Sequence, residues 1–350
     1  MSLRILYGPK KKALTKAFIK EINQAIEKDH KYRLIVVVPE QFSSYYEETL
    51  ASDRGFMKAE VMTFSRLTQR LFDLEYIERN DTVNDTGKTM LLYSLLNKEE
   101  LSLDYYQKSR KYPGFSVLAM QTIKELRANN ISYEDILRIS ENGDFSYATK
   151  TKFAEIAAIY EFYMRSMKEM GLADQTDSYD MLCEHINNTT TFDNSIIWFD
   201  RFSFFSAKEF DVIKSLMNKA ERINISLCID YGISGPDSDI FTIPLCTMDK
   251  LKEQAKQQRT TFIEERDKTY TEETVQSQSL DFLFSNLFRS RNEISKGAVK
   301  DIEIFKAYDI YEEAEYAAIR IMNAVENRGI RYKDILCVVS DVSSYERIIK

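Results

Sequence analysis

The run Leu34-Ile35-Val36-Val37-Val38 is the feature that most constrains this chain. Its residues are apolar, mostly β-branched and free of polar alternation. That is the pattern of a strand buried on both faces, as a parallel sheet requires. Pro39 stops the run, because proline cannot donate to a ladder. A helical segment follows, then a second strand signal at Ala59-Glu60-Val61-Met62-Thr63, which breaks into Phe64-Ser65-Arg66-Leu67 and another helix. Strands alternating with helices predict an α/β fold around a parallel sheet. Polar groups then lie just past two strand ends, where open α/β sheets hold their ligands.

The same alternation recurs. Arg4-Ile5-Leu6-Tyr7 reads as a strand and Gly8-Pro9 as the turn after it. Leu14, Phe18, Ile22 and Ile26 form the buried stripe of a first helix. A glycine turn between strand and helix is the place of a phosphate-binding loop, so the pattern G-x-x-x-x-G-K-[ST] can be laid on it directly. Gly8 and Thr15 match, but Ala13 stands at the second glycine and Leu14 at the lysine. That lysine reaches the β- and γ-phosphates, and leucine cannot. Downstream, Ser195-Ile196-Ile197-Trp198-Phe199-Asp200 resembles the strand whose last carboxylate holds Mg²⁺. Arg201 occupies the next position, in place of a glutamate base. Gly8, Leu14, Thr15, Asp200 and Arg201 thus outline a nucleotide site that has lost its chemistry. Lys10-Lys11-Lys12 reads as a solvated basic face. The expected cation beside Asp200 is Arg201 or a lysine of the first helix. Arg201 followed by clustered aromatics, Phe202-Ser203-Phe204-Phe205, suits contact with nucleic acid and equally a hydrophobic loop packed under the helical insertion.

Residues 76–190 read as a helical insertion within an α/β domain built from 1–75 and 191–295. Thr86-Gly87-Lys88-Thr89 mimics the end of a phosphate loop, but no strand precedes it, and Asn84 or Asp85 caps a helix there. Val117, Met120, Ile123 and Leu126 share one side of a helix. Phe153, Ile156, Ile159, Tyr160 and Tyr163 share one side of another, which Gly171 ends. Ser206-Ala207-Lys208-Glu209 is a capping box. Ile223–Ile229 is a further strand, ended by Asp230-Tyr231-Gly232. After a loop at Gly235-Pro236-Asp237, a polar helical segment extends to about Asn292. Residues 300–350 read as the start of a second α/β domain, cut short at Lys350. Its expected elements are a helix at Glu312–Asn327, a stop at Gly329 and a strand at Ile335-Leu336-Cys337-Val338-Val339.

Composition narrows the function classes. The formal net charge is −7, which argues against a protein that coats nucleic acid over its whole surface. A local basic channel, or one completed by a basic partner, is compatible with it. No run approaches the roughly 20 apolar residues of a membrane span, and Met1–Lys12 lacks the apolar core of an export leader. Cys183, Cys228, Cys246 and Cys337 lie far apart, and Cys183-Glu184-His185 falls short of the four ligands usual for zinc. Reduced thiols without an export leader predict a cytoplasmic protein.

Three stretches carry a family resemblance: Val38-Pro39-Glu40-Gln41, Phe64-Ser65-Arg66-Leu67, and Phe199-Asp200-Arg201-Phe202 through Glu209. In this order they resemble the B subunit of AddAB/RexAB-type bacterial ATP-dependent helicase–nucleases. Glu312-Glu313-Ala314-Glu315-Tyr316 through Val339 is similar to the opening of the second motor domain of superfamily 1 helicases. The missing phosphate lysine is similar to the RexB-type branch, whose helicase fold has no motor activity. The resemblance implies a RecA-like P-loop NTPase fold of superfamily 1 type. It implies a heterodimer with a motor and nuclease A subunit that processes double-strand breaks for recombination. The B subunit takes one strand from the duplex end and scans it for Chi. It also implies that the nuclease domain, its Mg²⁺ and an iron–sulfur cluster lie C-terminal to this region, so no cofactor, metal or catalytic residue is expected here. The family's Chi-reading positions, matched residue by residue, fall on Gln41, Ser43, Phe64, Arg66, Gln69 and Phe202, although better-known members carry an aromatic at the position of Gln69. Two other readings stay open at this point. One is an active ATPase that draws its lysine from Lys12 or Lys16; the other is a scaffold on which the motor partner sits.

Overall fold

The computed structural model describes residues 1–28, 31–51, 58–74, 81–98, 100–173, 175–230, 240–267, 277–286, 293–297, 299 and 301–349. The chain divides into two compact units, Met1–Thr274 and Val275–Lys350. The strand stop expected at Tyr231-Gly232, the loop at Gly235-Pro236-Asp237 and the helical limit at Asn292 lie outside the described residues.

The first unit is an α/β domain around a six-stranded sheet in which every pairing is parallel. In chain order the elements are β1 (Ser2–Gly8), α1 (Lys11–Glu27), β2 (Arg33–Val37), α2 (Glu40–Leu50), β3 (Ala59–Met62) and α3 (Phe64–Leu74). Next come β4 (Asp81–Thr82), α4 (Asp85–Leu96), α5 (Pro113–Ala128), α6 (Tyr133–Asn142), α7 (Tyr147–Glu169), β5 (Leu172–Ala173) and α8 (Gln175–Asn188). The unit closes with β6 (Ser195–Phe199), α9 (Ala207–Met217), β7 (Arg222–Cys228), α10 (Thr242–Gln257) and β8 (Thr261–Arg266). The sheet order is β3-β2-β6-β7-β1-β8, while β4 and β5 form a separate parallel pair. This architecture is consistent with a RecA-like α/β fold.

Alternation along each strand sends side chains to two helical layers. Leu34, Val36, Val38 and Trp198 pack with Leu14, Phe18 and Ile22 of α1 and Tyr46 of α2. Ile35, Val37, Ile197, Phe199 and Ile225 pack with the opposite layer, which includes Leu67 of α3, Ile186 of α8, Ile213 of α9 and Leu251 of α10. Full burial of each such side chain contributes about 1.5–3 kcal/mol, so the apolar runs that announced these strands also hold them between the layers.

β8 corrects the expectation of unbroken helix beyond residue 240. Thr261–Arg266 is mostly polar and mostly exposed, and among the described residues its ladder is with β1 alone. Its apolar residues, Phe262 and Ile263, make too short a run to announce a strand, so its pairing rests on the ladder and on Phe262 packed against the core. Arg4 supports it, reaching Glu265 at 2.9 Å and Glu21 of α1 at 2.6 Å.

Helices α4–α7 enclose a core of their own, with Leu92, Met120, Ile123, Ile159 and Tyr163 buried. Local signals account for their ends. Asn84 accepts the Gly87 amide at 2.8 Å and so caps α4. Pro113 opens α5, Ser132 and Asp135 form a capping box on α6, and Gly171 at φ 66° follows α7. Val117, expected on the buried stripe of α5, is 52% exposed.

The second unit contains α11 (Gln278–Asn286), α12 (Ile310–Arg328) and α13 (Val342–Ile349). Gly329, at φ 65°, ends α12. The strand expected at Ile335–Val339 is not formed: these residues join no ladder, and Leu336 and Val338 are 84% and 83% exposed. An apolar β-branched run becomes a strand only where a partner satisfies its amides and covers its side chains.

Candidate functional site

Because the sheet is parallel, the carboxyl ends of its strands share one edge. Along it lie Gly8-Pro9 entering α1, Pro39 entering α2, Thr63 entering α3, and the Asp200–Ser206 loop entering α9. The sequence-predicted residues fall into two groups on this edge.

The first group comprises the positions laid on the phosphate-loop pattern and on the strand that ends in Asp200. Leu14 is 1% exposed and lies in the core between α1 and the sheet, so its side chain is not directed at a bound phosphate. Thr15, also 1% exposed, donates its hydroxyl to Asp200 Oδ2 at 2.7 Å. The Tyr46 phenol donates to the same oxygen at 2.5 Å, and the Ser226 hydroxyl donates to Oδ1. Asp200 is itself 1% exposed. Its two oxygens are thus enclosed by hydroxyls from α1, α2 and β7, which satisfies a buried charge that would otherwise be costly. Burial, and then the Asp200 charge, hold the Tyr46 phenol well above its ordinary pKa.

Arg201 stands 3.9 Å from Asp200 Oδ2 and lies over the Phe42 ring at 4.9 Å. Its backbone is left-handed, at φ 71°, a conformation that glycine adopts more readily than arginine. At the end of β1 a Cβ on Gly8 would meet Asp267 Cβ at 3.3 Å. Lys11 donates to the Ser203 hydroxyl at 2.8 Å. These residues do not fit Mg²⁺–ATP: the lysine position is a core leucine, and the threonine and aspartate that would hold the metal are bonded to each other.

The second group comprises the positions matched to Chi reading. Gln41, Arg66 and Gln69 are exposed. Arg66 pairs with Glu47 at 2.8 Å and lies 3.8 Å from Glu40, both on α2. Ser43 and Phe64 lie inside. Ser43 is 4% exposed and donates to the Glu40 carbonyl at 3.0 Å. Phe64, also 4% exposed, sits among Phe199, Phe202, Phe205 and Tyr179 with centroids 5.6–6.3 Å away. Its ring faces are therefore occupied, because the first turn of α3 packs directly over β6. Phe202 is half-buried against this cluster. The ring this loop turns outward is Phe204, 62% exposed.

Sequence reasoning missed Tyr46 and Ser226. One signal was present for the second: Asn224 and Ser226 interrupt an apolar strand and are both buried. Nothing in Ser44-Tyr45-Tyr46 distinguishes which tyrosine turns inward. Elsewhere, His185 lies edge-on to Phe72, centroids 6.3 Å apart, a packing role. Cys183 and Cys228 are half-buried, Cys246 and Cys337 are exposed, and all four are unpaired. Among the described residues no His, Cys, Asp and Glu side chains cluster to hold a metal, and no helix is long and apolar enough to cross a membrane.

Comparison with known proteins gives the lineage. The family described as "ADDB, N-terminal" matches residues 5–283. Among similar curated proteins, the B subunit of the ATP-dependent helicase/deoxyribonuclease of Clostridium kluyveri is 31% identical over 365 residues, covering 100% of this chain and 31% of the relative. The protein of the same name from Clostridium botulinum is 32% identical over 369 residues, with 100% and 31% covered. That of Acetivibrio thermocellus is 28% identical over 361 residues, again with 100% and 31% covered. The chain therefore spans about a third of the length of the curated relatives it matches. With the family match running from β1 into α11, and with its strand-end motifs gathered on one edge of a parallel sheet, this chain belongs to the ADDB N-terminal family.

Proposed function

We propose that this chain is the helicase-like, non-motor part of the B subunit of an ATP-dependent helicase/deoxyribonuclease, and that it holds single-stranded DNA and reads Chi. The relatives' shared name supports action on DNA and assembly with a partner subunit. The observation that carries the non-motor reading is the closed cage on Asp200, together with Leu14 buried where a phosphate lysine would stand.

DNA then crosses the carboxyl edge of the sheet. Gln41 offers a donor and an acceptor to a base edge, and Arg66 can pair with guanine or phosphate in a bidentate manner. Release of Arg66 from Glu47 costs little, since exposed ion pairs contribute about 0–1 kcal/mol. Gln69, one turn along α3 from Arg66, continues this exposed face. Phe202 presents a partly open ring, while Ser43 and Phe64 position α2 and α3 from inside.

The test is digestion of linear DNA, with and without cognate Chi, by the assembled heterodimer. Gln41→Ala and Arg66→Ala are expected to abolish Chi-dependent fragments while degradation continues. Unchanged fragments in both variants would leave only a scaffold role. The non-motor half has its own assay, thermal unfolding with Mg²⁺–ATP. No shift is expected, whereas a ligand at a hundred times its Kd stabilises by about 2.7 kcal/mol, so a saturable rise would restore the ATPase reading.

A further inference from the structure

The helical insertion carries a surface that the sheet-edge reading leaves unused. From Tyr105 to Lys124 the chain contains Lys108, Arg110, Lys111 and Lys124 and no carboxylate, in a protein of formal net charge −7. Tyr105, Tyr106, Tyr112 and Phe115 interleave with these cations. The fold sorts them by task. Tyr106 and Phe115 pack together with centroids 4.9 Å apart, against the core of the insertion. Arg110 donates to the carbonyls of Leu101 at 2.8 Å and Lys98 at 2.7 Å, and Lys124 pairs with Asp85 at 2.6 Å. Turned outward are Tyr105, 52% exposed, Tyr112, 68% exposed, and the exposed side chains of Lys108 and Lys111. Neither lysine makes an ion pair among the described residues.

The loop that presents these groups is firmly mounted. Glu155 of α7, 7% exposed, accepts the backbone amides of Asp104, Tyr105 and Tyr106 at 2.7, 2.6 and 2.9 Å. Farther along, the Arg110 amide donates to the Tyr106 carbonyl at 2.9 Å and the Tyr112 amide to the Ser109 carbonyl at 3.0 Å. Pro113 then locks the entry to α5. The backbone is already ordered, so a ligand that stacks on the tyrosines meets a small ordering cost.

We propose that the Tyr105–Tyr112 loop is a second nucleic-acid contact, specific for single strands. Tyr105 and Tyr112 stack on unpaired bases, and Lys108 and Lys111 meet the phosphates between them. Exposed ring surface suits splayed bases, which a closed duplex does not offer. Tyr105 is held by a T-shaped contact with Tyr106, centroids 4.9 Å apart, and Tyr112 is the more open of the two. Lysine acts on phosphate as a point charge, and neither group reads base edges, so the contact is independent of sequence. Unpaired lysines fit a protein partner poorly, since lysine is depleted from protein–protein interfaces. The surface lies on the insertion rather than the sheet edge and does not depend on Chi reading.

Photo-crosslinking to thymine-rich oligonucleotides carrying 5-iodouracil, followed by peptide mapping, tests this on the 350-residue chain and on its assembly with the motor subunit. Crosslinks at Tyr105 or Tyr112 are expected. The double variant Lys108→Gln/Lys111→Gln should flatten the slope of log affinity against log salt by about 1.4, from two lost phosphate contacts. Tyr112→Ala should weaken binding about tenfold, equally for all sequences. All four side chains are exposed, so unchanged thermal unfolding of the variants certifies their folding. The proposal is overturned if crosslinks map only to the sheet edge, or if salt slope and affinity stay at the parental values. Loss of affinity for the motor subunit with DNA affinity intact would equally overturn it, by making the surface a protein interface. Gln41 and Arg66 test the sheet edge separately, so either proposal can fail alone.

Discussion

Tyr46→Phe isolates one hydroxyl of the Asp200 cage. The ring is fully buried between α2 and the sheet, and phenylalanine preserves that packing. Thr15 and Ser226 still hold the carboxylate. A hydrogen bond to a charged group contributes about 1.5–3 kcal/mol, so a loss of about 2 kcal/mol is expected at neutral pH. Alkaline pH supplies a sharper readout. Burial and the Asp200 charge raise the folded-state pKa of Tyr46, while in the unfolded chain tyrosine titrates near ~10. Below that pH both states keep the proton and the stabilisation is fully present. Above it the unfolded chain releases the proton that the folded chain retains, so stability falls as pH rises. The variant lacks the phenol and escapes this loss, so between pH ~8 and ~11 the gap between the two proteins should close by about 1.4 kcal/mol. Trp198, the sole tryptophan, lies on β6 two residues before Asp200 and is buried. Its fluorescence during urea unfolding therefore reports on this sheet. A gap under about 0.5 kcal/mol at neutral pH, or one that stays constant up to alkaline pH, refutes the cage as a stabilising element.

Three further outcomes follow from the same geometry. Leu14→Lys places a charge in the α1–sheet core, so it should cost more than about 3 kcal/mol in urea unfolding and restore no ATP-dependent thermal shift. Arg201→Gly should be more stable than Arg201→Ala by about 1 kcal/mol, because only glycine relieves the left-handed backbone; equal stabilities would show that φ carries no strain. Glu155→Gln should lower the melting temperature through a loss of about 2 kcal/mol. It should also speed amide exchange at Asp104, Tyr105 and Tyr106, whereas unaltered protection there would mean that Glu155 does not mount the loop.

What the chain by itself determined were the features encoded within a few consecutive residues. The runs at Leu34–Val38 and Ile196–Phe199 specify buried strands because a continuous apolar segment has few other stable states. Asn84, Ser206 with Glu209, Gly171 and Gly329 mark helix ends through side-chain acceptors or left-handed backbone that act locally. The leucine at the place that a phosphate-loop lysine would take was legible in the same way, in a short motif. Only the tertiary structure decided which polar groups meet. Thr15, Tyr46 and Ser226 come from α1, α2 and β7 and reach Asp200 because their strands neighbour one another in a particular register, which no local pattern contains. The same holds for Ser43 and Phe64, turned inward by how α2 and α3 lie on the sheet while Gln41 and Arg66 face out. It holds for β8, a mostly polar segment made a strand by β1, and for Ile335–Val339, an apolar run left without a ladder. Periodicity is a property of one segment, whereas a hydrogen-bond partner belongs to another, and only folding brings the two together.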